Sequence, residues 1–231
     1  TRVPKTVKFQ IDDKDPNDQY ARLFSQEVVD IVNGLSLPRY GLGNFIEPNP
    51  ANPPTTEEEN ILEDLSRAGK RLMGFCRTNL FKRLESGGHA FIQSVKRHIL
   101  RNYIYLYAYE NDLSFPIGGQ DTVMLNSRVF DRDADGLTGD IDLDDGNDND
   151  DSGFDIDHLS KEAFNQSAKN IYNTFKTVYF RRFKWIRSDL FTEDLANGLR
   201  NDAEALLGVL KKYGEWNPES DTKLDELQKL I

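Results

Sequence analysis

Between Thr56 and Glu110 the chain carries two long stretches of helical periodicity separated only by Gly87-Gly88, and no other feature restricts its fold as much. In the first, Leu62, Leu65, Leu72, Cys76, Leu80 and Leu84 fall on one apolar stripe of a single long α-helix. Thr56 followed by Glu59 reads as a capping box, and Glu57 and Glu58 put negative charge in the first turn, where the helix dipole favours it. In the second stretch, from about His89 to Glu110, Phe91, Val95, Ile99, Tyr103 and Leu106 share one side. Two long helices with so short a link are expected to pack antiparallel.

The rest of the chain supplies further helices. Thr1 to Gln10 alternates loosely, as an extended arm or short edge strand would, and Asp15-Pro16-Asn17-Asp18 is a turn and helix start. Tyr20, Leu23, Phe24, Val28, Ile31 and Val32 then recur at helical spacing until Asn33-Gly34. From Leu35 to Pro54, five prolines mark a loop laid over a surface, with Tyr40, Phe45 and Ile46 as its anchors. Periodicity resumes near Ser160, runs through Ile171, Phe175, Val178 and Tyr179, and continues to about Ile186. A further helix is expected from Thr192 to Tyr213 with Gly214 as its cap. Trp216-Asn217-Pro218 makes a turn, and Asp221-Thr222 opens a last helix bearing Leu224, Leu227 and Leu230. The expected architecture is an all-α, multi-helix bundle with a long Pro/Gly loop and an acidic, disordered-like loop. Its parts are an arm and basic bundle (1–126), the acidic loop (127–157), the closing helices of the same bundle (158–215) and a final linker with its helix (216–231).

Charge divides along the same lines. The net charge is −10, an average over two opposed blocks. From Ile61 to Leu106 there are nine lysines and arginines against Glu63, Asp64 and Glu85, a net of +6. From Asn111 to Asp157, fourteen aspartates face two arginines, a net of −12. Residues 127–157 hold too little apolar surface to offset ordering, so a solvated acidic loop or a self-shield mimicking DNA is expected there. No apolar run approaches the eighteen or so residues of a membrane span, so no membrane partner is expected. The single cysteine, Cys76, excludes an intramolecular disulfide framework and suits a reducing, cytoplasmic compartment. Its leucine and phenylalanine neighbours mark it as a small core residue.

The basic block suggests a chemistry. Arg67, Lys70, Arg71, Thr78 and Lys82 lie roughly opposite the leucine stripe, flanked by Arg77 and Arg83, while Lys96, Arg97 and Arg101 cluster on the second helix. Cations that reach phosphates displace condensed counterions and give sequence-independent, salt-sensitive affinity. Arg77, Lys82, Arg83, Lys96, Arg97 and Arg101 are therefore the candidate nucleic-acid contacts. The competing reading is a solvated helix face, or arginines paired inside the fold. A second cluster, Arg181 to Arg187, interleaves Arg181, Arg182, Lys184 and Arg187 with Phe183, Trp185 and Ile186. It could stack on unpaired bases, or it could be a helix end whose aromatics enter the core beneath long charged stems.

Other chemistry is sparse. Asp131, Asp133, Asp135 and Asp142, with Gly136, fit the spacing of a calcium loop. Thr138 stands where a hydrophobic residue is usual, Asp142 is short for bidentate reach, and in a stretch this rich in aspartate such a match arises easily by composition, which leaves calcium the lesser reading. His89, His98 and His158 make no ligand spacing, and no nucleophile–base constellation can be drawn. A phosphate-binding G-x-x-x-x-G-K-[ST] loop is absent from the sequence.

Ser66 to Asp121 resembles the segment between the two RecA-like ATPase lobes in a group of prokaryotic Swi/Snf-type superfamily-two helicases that often also carry a phospholipase-D-like domain. RTNLFKRLES (Arg77–Ser86) and FIQSVKRHILRN (Phe91–Asn102) carry the likeness, with Gly87 where the family usually has a second serine. KTVKF (Lys5–Phe9) is similar to the exit from the first lobe, and DTKLDELQKLI (Asp221–Ile231) to the helix leading into the second. The resemblance implies a helical connector of a DNA-dependent helicase or translocase, contacting double-stranded DNA and the flanking ATPase lobes. ATP and Mg²⁺ would serve the parent protein, and the connector itself would have no ATPase activity. The alternative is a protein-interaction module that docks a partner through the acidic loop or the Tyr20–Val32 helix, with Ca²⁺ at residues 131–142.

Overall fold

The computed structural model describes residues 8–118 and 159–229 apart from residues 13 and 16, and among these not the side chains of residues 68–71. Seven α-helices are present among the described residues: α1 (Gln19–Leu23), α2 (Gln26–Gly34), α3 (Thr56–Ser86), α4 (Gly88–Glu110), α5 (Lys161–Thr177), α6 (Glu193–Tyr213) and α7 (Thr222–Gln228). The all-α, multi-helix expectation holds. Among the described residues it is completed by one two-stranded antiparallel sheet, β1 (Ser114–Gly118) with β2 (Phe183–Arg187).

Helix α4 is the centre. Phe91, Val95, Ile99, Leu100, Tyr103, Ile104, Leu106 and Ala108 are all buried, so it is covered on every side rather than along one stripe. It packs against α3, α5, α6 and β1. Helix α3 behaves as its stripe requires, with Leu62, Leu65, Cys76, Leu80 and Leu84 buried and Leu72 packed at the margin. Cys76 is a buried thiol. The turn between them places Gly88 directly under Trp216. A Cβ there would lie 2.0 Å from the indole, so only glycine admits this packing.

Three local expectations need correction. The capping box sits one residue earlier than the sequence reading put it. The Thr55 hydroxyl accepts from the Glu58 N–H at 3.3 Å, and Glu58 Oε2 accepts from the Thr55 N–H at 2.8 Å. Adjacent threonines followed by three glutamates leave the register open, and burial of Glu58 decides it. The Tyr20–Val32 helix is two helices, broken at Phe24-Ser25, where the Asp18-capped α1 ends after five residues. Finally, α5 stops at Thr177, and the residues expected to continue it form a 3₁₀ turn (Phe180–Arg182) and then β2.

That strand forms because β1 offers it a partner. Phe115 pairs with Ile186 and Ile117 with Lys184, and Phe115, Ile117 and Ile186 are fully buried. Pro116 donates no hydrogen bond, which a strand with one neighbour tolerates. The Tyr105 hydroxyl donates to the Pro116 carbonyl (3.0 Å) and the Tyr172 hydroxyl to that of Ser114 (2.8 Å). Tyrosines from α4 and α5 thus hold backbone acceptors of β1, which a two-stranded sheet cannot fully satisfy itself.

Candidate nucleic-acid interface

The six candidate cations do not share one environment. Arg77 points into the fold. Its Nη2 donates to the Leu35 carbonyl at 2.7 Å and its Nε to that of Val32 at 3.4 Å. These carbonyls lie at the C-terminal end of α2, where orphan acceptors and the negative end of the dipole both favour a cation. From the other side, buried Asp202 on α6 receives the same segment. Its Oδ1 accepts from the Ser36 N–H (2.9 Å) and hydroxyl (3.1 Å), and its Oδ2 from the Leu37 N–H (2.7 Å). Leu37 is left-handed (φ 49°), a conformation costly for a leucine, and the carboxylate holds it there. Burial pushes the Asp202 carboxyl up, against the opposing pull of those donors and of the Arg77 charge.

Lys82 is the opposite case. It is exposed on α3, on the side away from Leu80 and Leu84. On α4, Lys96 and Arg97 are half-buried and share a helix side with His89 and Gln93. Arg83 and Arg101 are half-buried, and neither is without a partner in the fold. Among the flanking positions, Arg67 pairs with Glu63 one turn away. The side chains of Lys70 and Arg71 lie outside the described residues, as do the calcium-loop candidates Asp131, Asp133, Asp135 and Asp142.

The α3–α4 turn is also where the two ends of the described chain meet. Lys223 Nζ donates to the carbonyls of Glu85 (2.5 Å) and Ser86 (2.7 Å), closing the C-terminus of α3. The same ammonium lies 5.7 Å from the Phe9 ring, and Phe9 packs on Tyr20 at 5.0 Å. Tyr20 is edge-on to Trp216 at 5.1 Å and donates to Asp221 at 3.1 Å. Burial, reinforced by Asp221, pushes its hydroxyl up to about 12. Gln19 and Asn217 exchange two further hydrogen bonds. Phe9, Gln19 and Tyr20 are thus pinned to Trp216, Asn217, Asp221 and Lys223 one turn from Lys82. Sequence reasoning missed Lys223, since its signal, a lysine near a chain end, is too common to single out.

The second cluster also divides. Arg187 is spent inside the fold, with Nε on Glu58 Oε1 at 3.0 Å and Nη2 on the carbonyls of Asn52 (3.2 Å) and Pro53 (3.1 Å). Lys184 faces Asp64 at 3.7 Å. Arg181 and Arg182 are exposed. Ile186 is wholly buried while Phe183 and Trp185 are half-buried, so from this strand the isoleucine enters the core and the aromatics lie at its edge.

The apolar face of α1 and α2 is used within the molecule, since Tyr20, Leu23, Val28 and Val32 are buried. Among the described residues, no helix is long and apolar enough to cross a membrane, and no group of three His, Cys, Asp or Glu side chains could hold a metal ion. Comparison with family models, with curated proteins and with solved structures gave no match.

Proposed function

We propose that this chain is a helical connector of a DNA-dependent ATPase that holds the backbone of double-stranded DNA and transmits the movement of flanking ATPase lobes to it. One observation carries the reading. The first and last described segments lie against each other, clasped by Lys223, Phe9, Tyr20 and Trp216, an arrangement that suits a module inserted between two lobes. Exposed Lys82 lies one turn from that clasp, where a polyanion bridging the lobes would pass. Lys96 and Arg97 extend the positive face along α4. Arg77 serves it indirectly by fixing α2 against α3, and half-buried Arg83 and Arg101 are the further candidates on the same two helices. Leu224 and Leu227, exposed on α7, give the following lobe an apolar strip to pack on. ATP and Mg²⁺ belong to the lobes in this reading, and the setting is cytoplasmic.

The test is duplex binding followed by fluorescence anisotropy across a salt series. Replacing Lys82, Lys96 and Arg97 together with alanine should weaken binding and reduce the slope of log K against log salt by about 2.7, at roughly 0.9 for each phosphate no longer neutralised. An unchanged slope in a folded variant removes the interface. Robust ATP turnover by the isolated chain would overturn the connector reading itself.

A further inference from the structure

From Ala163 to Ser188 the chain holds six lysines and arginines and not one carboxylate, in a protein whose net charge is −10. The structure gathers the end of this stretch into a corner built on ring contacts. Where α5 ends, the chain turns through Phe180–Arg182 into β2, and the Trp185 Nε1–H donates to the Phe180 carbonyl at 2.9 Å. This hydrogen bond lays the two rings nearly parallel, 5.4 Å apart at 12°. Trp185 is braced in turn by Tyr172, edge-on at 5.9 Å, and by Phe183, itself packed on Phe175. Phe180 nevertheless stays 53% exposed and Val178 68% exposed. Around them Lys176, Arg181 and Arg182 are exposed and make no ion pair with a described carboxylate, while the Arg182 guanidinium lies 4.7 Å from the Tyr179 ring.

We infer that this corner binds single-stranded nucleic acid, with an unpaired base stacking on Phe180 and neighbouring phosphates meeting Arg181, Arg182 and Lys176. An aromatic ring fixed in place by its own scaffold has already lost the freedom that stacking would otherwise cost, and every base offers a π-face. Cations flanking the ring suit the phosphates on either side of a stacked base. A duplex keeps its bases inside and cannot use the ring. A lipid surface would need a broader apolar protrusion than one valine and one phenylalanine. An acidic peptide would use the cations but has no particular use for a flat ring backed by an indole. The inference stands apart from the α3–α4 face, because it names different residues and a different form of nucleic acid.

The experiment uses the full chain and a fluorescein-labelled oligothymidylate in an anisotropy titration, with circular dichroism to confirm folding. Phe180→Ala should weaken binding roughly 5- to 150-fold while leaving the salt slope unchanged. Phe180→Tyr, which keeps the ring, should retain affinity. Arg181→Ala with Arg182→Ala should lower the salt slope by about 1.4, at roughly 0.7 per phosphate on a single strand. Absence of oligothymidylate binding at low salt, or equal affinity in folded Phe180→Ala, would overturn the inference. So would Phe180-dependent binding to phosphatidylserine vesicles or to an oligoglutamate peptide that the oligonucleotide does not match. Loss of duplex binding in the Lys82, Lys96 and Arg97 variant with oligothymidylate affinity intact would separate the two surfaces.

Discussion

The basic region on α3 and α4 and the one around β2 each contain an arginine turned inward and cations left outside, but they are built differently. On the helices the inward arginine, Arg77, sits on the flank of an apolar stripe and reaches backbone carbonyls of a neighbouring helix. Beside β2 the inward arginine, Arg187, reaches a carboxylate and the carbonyls of a loop, and the outward ones cluster at a tight turn next to an exposed ring. The comparison shows that a count of positive charges overstates a binding face, because orphan carbonyls at helix and loop ends compete for the same side chains. Inward and outward arginines should therefore separate cleanly, one set altering stability and the other altering affinity.

The largest effect belongs to the far side of the Arg77 clamp. Asp202→Ala strands the Ser36 and Leu37 N–H groups and releases a left-handed leucine, which should cost roughly 3 kcal/mol in urea unfolding. A loss under about 0.5 kcal/mol, the range of ordinary surface changes, would show that the segment is not held there. Next comes Arg77→Ala. It should cost about 2 kcal/mol of stability, since hydrogen bonds from a charged donor disappear, with little change in duplex affinity for the molecules that remain folded. Lys82→Ala should do the reverse. If Arg77→Ala weakens DNA binding more than Lys82→Ala does, the division of labour between them is wrong.

How far this was legible in the sequence depends on the kind of signal. Helices α3, α4 and α6 were legible because periodic leucines, Gly87-Gly88 and Gly214 are local features. The sheet was not. β1 is five residues around a proline, and β2 follows a helical pattern without a glycine or proline to mark the change. Only the pairing of residues some seventy positions apart in sequence reveals them. The position of the cations on α3 was half legible. Helical phase put Lys82 outside, yet it placed Arg77 and Arg83 symmetrically on the flanks. Which flank meets a neighbour is a tertiary fact. Val178 was misjudged for the same reason, since its spacing continued a helix that ends before it.

Glu58 lets the comparison be sharpened by pH. Burial tends to raise its carboxyl, but the Thr55 N–H and the Arg187 guanidinium outweigh burial and hold it below its ordinary 4.5. A carboxyl depressed in the folded state adds stability that is complete above pH 4.5 and fades as pH falls through the lower folded value. Glu58→Gln should therefore cost about 1 kcal/mol at neutral pH and flatten the fall in stability below pH 4.5. Asp202 acts with the opposite sign. Its raised carboxyl favours the folded state most below its ordinary 3.8 and less as pH rises through the folded value. An acid limb identical in Glu58→Gln and the parent chain would mean that Arg187 does not depend on Glu58.

The smallest effect tests the register that ties Arg187 down. Glu58 divides its oxygens, Oε2 taking the Thr55 N–H and Oε1 taking Arg187 Nε. The capping box therefore orients the carboxylate that holds the inward arginine. Thr55→Ala removes the hydroxyl that fixes the Glu58 N–H and should cost about 1 kcal/mol, the usual worth of an N-cap. Thr56→Ala, one residue into the helix, should change stability by less than about 0.5 kcal/mol. Because the cap positions Glu58 but supplies no charge, Thr55→Ala should leave single-strand and duplex affinities where they were. Equal losses from the two threonines would move the box back to Thr56 and Glu59, and Arg187 would then have no pre-set partner to draw it away from the outward cluster.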